Sequence, residues 1–201
     1  MSATDQETYW LERVEDLFLR FGIKSQTMDD VSRELGISKK TLYQMVSNKD
    51  ELVRKVLEHH ISREKSNCMN ATEAANAIEE ILMMTEANSQ ELSQMKANVL
   101  YDLQKYHREG WLLIQKFYYD FVYKMVCNNI ARGRSEGLYR EDFDADLIAK
   151  LHLTTVFQLF DEELFPSSTI SREIVFREYM MHYLHGIVSK EGLKFLQSKL
   201  Q

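Results

Sequence analysis

The chain has 201 residues, a formal charge of −6, 44% hydrophobic and 28% charged residues. Seven glycines and one proline, Pro166, fall far below the share of about 12% usual for these two residues. That composition excludes collagen-like, Pro-rich and disordered chains, argues against a turn-dense β-sandwich, and leaves long helices joined by short loops. Cys68 and Cys127 form neither a disulfide framework nor a zinc-ligand spacing. No apolar run approaches the ~20 residues of a membrane span. The acidic, polar start Met-Ser-Ala-Thr-Asp-Gln-Glu is unlike a signal peptide. A reducing cytoplasm is the expected compartment, with no membrane partner.

In chain order, Trp10, Val14, Leu17, Phe18 and Phe21 recur at spacings of three and four, which predicts a helix over 8–21 stopped at Gly22. Thr27 with Asp30 three positions on, before Val31 and Leu35, opens a second helix that Gly36 stops. Ser38 caps a third, turned inward on Leu42 with Met45 or Val46. Asn48-Lys49-Asp50-Glu51 opens a fourth through Leu52, Val56 and Leu57. Four helix starts in about fifty residues, two of them separated by a tight turn, read as a helix-turn-helix in a small bundle.

Beyond residue 65 a polar joint is expected at Ser66-Asn67 and Asn70-Ala71-Thr72. Helical patterns then continue to the end, with breaks near Asn88-Ser89, Gly110, 133–139 and Pro166-Ser167-Ser168. Residues 111–130 are apolar on nearly every side and predict a central helix. The last helices are expected over 143–163 and 171–188.

A recognition helix exposes donors near its N-terminus while its other side holds the bundle. Lys39, Lys40, Tyr43 and Gln44 fall on the side away from Leu42 and Met45. Gln44 suits a bidentate pair with adenine, and either lysine suits guanine or phosphate. Lys49, at a helix start with free amides, suits a phosphate. Lys24, Lys39, Lys40, Lys49 and Lys55 make this end locally positive despite the acidic total, and phosphate contacts supply most non-specific affinity. The bland counterpart is a three-helix bundle with a solvated lysine face.

The stretch from Phe18 to Leu52 resembles the TetR family of bacterial transcriptional regulators. The residues that carry the resemblance are Phe18, Phe21-Gly22, Thr27-Met28-Asp29-Asp30-Val31-Ser32, Leu35-Gly36-Ile37-Ser38, Thr41-Leu42-Tyr43 and Lys49-Asp50-Glu51-Leu52. Three departures stand out: Lys40 where glycine is common, Met45-Val46 in place of an aromatic pair, and Ser47-Asn48 in place of Pro-Ser. The resemblance implies backbone contacts by Tyr43 and Lys49 and base readout by Ser38, Lys39, Lys40, Thr41 and Gln44, with Thr27 and Asn48 completing the DNA-binding set. It further implies an all-α fold of about nine helices: a DNA-binding domain over 1–50, a connecting helix over 51–66, and a regulatory, effector-binding and dimerisation domain over 67–201.

In that second domain, Tyr101, Tyr106, Trp111, Phe117, Tyr118 and Phe121 form an aromatic cluster suited, with Met83, Met125 and Phe157, to an apolar or aromatic effector. Plain core is the alternative for any one of these rings. A stripe of Val175, Tyr179, Tyr183 and Ile187, with Gly186 allowing close approach, is expected to join Leu147, Leu151 and Thr155 in a homodimer interface. His182 and His185, with Glu178 a turn before, lack any recognised metal motif, so no metal, cofactor or catalytic residue is expected. The expected function is a sequence-specific repressor, released from a palindromic operator when an effector shifts the helix beginning after Asn48. The alternatives are a DNA-binding adaptor of the same fold answering to a protein partner, and an all-α enzyme, for which no catalytic motif speaks.

Overall fold

A computed structural model describes residues 3–96 and 98–200. They form eleven α-helices and one π-helical segment: α1 Ala3–Phe21, α2 Met28–Leu35, α3 Lys39–Met45, α4 Lys49–Ala71, α5 Ala77–Gln94, α6 Val99–Tyr106, α7 Arg108–Phe117, the π segment Tyr118–Val122, α8 Tyr123–Ser135, α9 Ala145–Gln158, α10 Arg172–Ile187 and α11 Lys190–Lys199. Strand-like pairing is confined, among the described residues, to one antiparallel bridge between Tyr139 and Val188. The chain divides into two compact units, one of residues 1–65 with 94–117 and one of 66–93 with 118–201.

In the first unit the amphipathic pattern of α1 buries Val14, Leu17 and Phe18, while Phe21 at its end stays exposed. α2 packs on α1 and on α3. Val31, Leu42, Val46, Leu52, Val53 and Val56 complete the interior. α7 reaches this core at Gly110, where a Cβ would come within 2.7 Å of the Leu57 side chain and 2.9 Å of Leu103. A buried carboxylate adds a polar anchor between α1 and α4: Glu15 accepts two hydrogen bonds from Arg63, at 2.8 and 2.7 Å, and lies 2.8 Å from His60 Nδ1. Burial works to raise the Glu15 pKa, but the hydrogen bonds from His60 and Arg63 outweigh it and hold the carboxyl below its ordinary value.

The core of the second unit gathers residues far apart in sequence, from Ala77, Ile78 and Ile81 on α5 to Met180, Leu184 and Ile187 on α10 and Leu196 on α11. A smaller cluster of Val126, Ile130 and Ala149 joins α8 to α9. The Tyr139 hydroxyl is buried and lies 3.0 Å from both the Ala77 carbonyl and Asn129 Oδ1. Arg132 donates to the carbonyl oxygens of Thr72 and Ala74 and to Glu80 and Glu136, which closes the loop after α4.

Two expected breaks are absent, at Ser66-Asn67 and Asn88-Ser89, whereas the joint expected at Asn70-Ala71-Thr72 coincides with the end of α4. α4 runs through Ser66-Asn67 and Asn70 to Ala71, because Cys68 and Ala71 are buried and extend its inward side. Likewise α5 runs through Asn88-Ser89, with Ser89 fully buried. The apolar run 111–130 is not a uniformly central helix, since Leu112 and Tyr119 are about half exposed and a π turn interrupts it. The final helices are shorter than expected, and α11, capped by Ser189, follows them.

Candidate nucleic-acid interface

Local chemistry builds the helix-turn-helix. The Thr27 hydroxyl accepts from the Asp30 N–H at 3.2 Å, while Asp30 Oδ2 accepts the Thr27 N–H at 3.0 Å and its O–H at 2.6 Å. This reciprocal capping box satisfies amide groups that the first turn leaves unpaired. Hydrogen bonds from Thr27 hold the Asp30 carboxyl below its ordinary pKa. Gly36 closes α2 in the left-handed region at φ 65°, its N–H bonded to the Arg33 carbonyl, and Ile37 N–H returns to the Ser32 carbonyl. Ser38 then caps α3 by accepting the Thr41 N–H at 3.0 Å.

α3 is only seven residues long, and its two sides are sharply different. Leu42 is completely buried, with Val46 beside it in the core. Lys40, Tyr43 and Gln44, at relative positions i, i+3 and i+4, share the exposed side. Lys39 is also exposed, and its ammonium pairs with Asp29 of α2 at 2.5 Å. Of the expected readers, Lys39, Lys40 and Gln44 are thus exposed on this short helix, while Ser38 is its cap and Thr41 is half-buried with its hydroxyl 2.8 Å from that of Ser38.

Two expected contacts have partners within the unit. Asn48 Oδ1 accepts the Glu51 N–H at 2.9 Å, so its side chain caps α4. The Lys49 ammonium donates to the Ile23 carbonyl at 2.6 Å and to the Lys24 carbonyl at 3.3 Å. Burial pushes the Lys49 pKa down. Sequence spacing carries no trace of this last tie, because it joins residues 26 positions apart.

The nine residues read as an effector lining fall in both units. Tyr101 and Tyr106 are exposed in the first, their hydroxyls bonded to Lys105 at 2.5 Å and Lys24 at 2.9 Å, while Trp111 is half-buried and Phe117 buried. In the second unit Met83 is exposed, Phe121 and Met125 are half-buried, and Tyr118 meets Phe157 with ring centroids 4.7 Å apart. Tyr101, Tyr106 and Met83 therefore lie at the surface, since the long apolar stretch that suggested them is only partly enclosed. The sequence reading missed a tighter group of His152, Tyr179 and Tyr183 inside the second unit.

Among the expected interface residues, Leu147, Leu151 and Gly186 are exposed and Thr155 and Tyr179 half-buried. Val175, Tyr183 and Ile187 are instead enclosed by the chain's own core. The exposed apolar side of α10 carries Ile174, one residue out of phase with that stripe.

A two-helix DNA reader set in an all-helical chain defines the class: a helix-turn-helix regulator. Residues 11–56 match the family profile of bacterial regulatory proteins, tetR family. An HTH-type transcriptional regulator of Bacillus subtilis (strain 168), YvaF, is 28% identical over 141 residues, covering 69% of this chain and 73% of its own. Among solved structures, a TetR-family regulator from Agrobacterium tumefaciens superposes with a TM-score of 0.75 at 14% identity, covering 92% of this chain and 99% of its own. A transcriptional regulator from Saccharomonospora viridis in complex with choline gives 0.74 at 19% identity, covering 94% and 100%. Over residues 11–56 the chain thus carries the sequence pattern of the TetR DNA-binding segment, and along most of its length it is similar to a DNA-binding transcriptional regulator. No helix among the described residues is long and apolar enough to cross a membrane.

Proposed function

We propose that this regulator is a cytoplasmic repressor that binds a palindromic operator as a homodimer and leaves it when a small apolar or aromatic effector binds. The observation that carries the reading is the exposed set Lys40, Tyr43 and Gln44 on a helix anchored by a fully buried Leu42. Gln44 pairs with adenine, Lys40 with guanine or a phosphate, and Tyr43 with the backbone. Residues 1–50 serve as the DNA-binding domain, 51–66 as the connecting helix and 67–201 as the regulatory domain. Two readers must meet two half-sites, which calls for a dimer, and the exposed Leu147, Leu151 and Ile174 on α9 and α10 supply an apolar face for it. Choline in the Saccharomonospora viridis regulator supports a small-molecule effector here. Release requires only that the effector favour the state that binds DNA less tightly.

Selection from a random duplex library at two salt concentrations tests the reading. A palindrome is expected to be enriched, with Gln44→Ala changing the preferred bases and Lys40→Ala weakening binding. Weak binding that vanishes with salt and enriches nothing would overturn it.

A further inference from the structure

Inside the second unit, three polar rings meet in an otherwise apolar core. His152 of α9 stacks on Tyr179 of α10, centroids 5.5 Å apart and planes 26° apart. It packs against Tyr183, one turn further along α10, at 4.5 Å and 47°. The Tyr179 hydroxyl lies 2.9 Å from His152 Nδ1 and 3.4 Å from the His152 carbonyl, so that pair is satisfied. Tyr183 differs. Its residue is only 8% exposed, and its buried hydroxyl has no hydrogen-bond partner.

Native cores rarely leave such a group unpaired, because burial strips its water and returns nothing. This fold satisfies a buried tyrosine where the role is structural, since the Tyr139 hydroxyl sits between two acceptors. Tyr179, Cys127 and Tyr139 lie near enough to act on Tyr183 electrostatically, yet none of them hydrogen-bonds its hydroxyl. The site is also uncharged: burial pushes His152 down to about 4 and both tyrosines up, so all three rings are neutral near pH 7. A charged ligand would lie there unpaired in a medium of low dielectric constant.

We propose that the Tyr183 hydroxyl is the recognition group of an interior ligand site, and that its ligand is a neutral aromatic compound bearing one carbonyl oxygen. The oxygen accepts the Tyr183 O–H while the ring of the ligand packs against His152 and Tyr179. The proposal rests on the effector-responsive reading above and narrows its chemistry.

Acetophenone and α-methylstyrene share one planar shape and differ by C=O against C=CH2, which makes them the probes. Binding of each to the full chain is measured by ligand-observed NMR titration, for the wild type and Tyr183→Phe. Acetophenone is expected to bind the wild type at least about tenfold more tightly, and the difference is expected to vanish in the variant. Equal affinities in the wild type, a preference that survives in Tyr183→Phe, or no acetophenone binding, as when a buried water satisfies the hydroxyl, would each overturn the site. The wild-type comparison stands even if the variant fails to fold. Release of operator DNA is read separately: a ketone preference without release keeps the site and sinks the effector reading, and release without a ketone preference does the reverse.

Discussion

Lys49 holds the Ile23 carbonyl oxygen at 2.6 Å, fastening the first turn of α4 to the turn between α1 and α2. An ammonium has three N–H donors, and two of them point at the carbonyls of Ile23 and Lys24. The proposed DNA-binding role leaves the third donor for a phosphate. Lys49→Met is therefore expected to do two things at once. It should cost about 1–2 kcal/mol of stability, a fall of a few degrees in Tm, and weaken operator and random DNA alike. Thermal unfolding and paired binding isotherms check both halves.

The capping box of α2 is a second local device with a measurable worth. Thr27→Ala removes both the acceptor for the Asp30 N–H and the hydroxyl held by Asp30. A loss of about 1 kcal/mol is expected, with Thr27→Ser restoring most of it. Chemical denaturation of the three proteins measures the difference directly.

Two glycines predict opposite outcomes. A Cβ on Gly192 would fall 2.0 Å from the Leu138 carbonyl oxygen, a backbone atom already fixed by the Ser189 N–H at 2.8 Å. Gly192→Ala is expected to destabilise the fold by about 3 kcal/mol or more, through strain that backbone movement alone can relieve. At Gly186 a Cβ would meet nothing within 4 Å, so alanine is expected to steady α10 by up to about 1 kcal/mol. If α10 packs closely on a second copy, as proposed, the same substitution weakens the dimer. Sedimentation velocity alongside thermal unfolding separates the two effects.

Acid should find His152. Its pKa is pushed down by burial to about 4, below the value of about 6.5 for a free imidazole. Between these values the unfolded chain binds a proton that the folded chain refuses. Stability is therefore expected to fall as pH drops from about 6.5 to about 4, by up to about 3 kcal/mol, and to be untouched by this group above that window. Glu80 acts with the opposite sign, because burial raises its carboxyl above its ordinary value and favours the protonated form in the fold. Urea unfolding of the wild type and His152→Gln at about pH 7, 5.5 and 4.5 isolates the histidine. The wild type should lose more than the variant on acidification.

What the sequence disclosed follows from how far each interaction reaches along the chain. Thr27 with Asp30, and Ser38 with Thr41, act over three residues, so spacing located the helix-turn-helix and its exposed side, while the resemblance supplied its reading as a DNA reader. α10 was harder because it is apolar on more than one side. Ile174 is exposed while Val175 next to it is buried, and only partners such as Ile78, about a hundred residues away, decide which faces inward. The polar pair Asn88-Ser89 predicts a break, yet tertiary packing buries Ser89 inside α5. The inward turn of Lys49 and the meeting of His152 with Tyr183 are likewise products of folding that no local pattern encodes.

The bridge from Tyr139 to Val188 and the burial of Leu196 against a core that begins at Ala77 have a consequence for synthesis. A ribosome delivers Ala77, Ile78 and Ile81 more than a hundred residues before Leu196. The second unit cannot close its interior until that leucine has emerged, and its greasy α5 must wait unsheltered in the meantime. Premature termination anywhere between α9 and α11 would thus release a chain whose DNA-reading helices are complete but whose second core is open, a species marked for aggregation or proteolysis rather than for half-function.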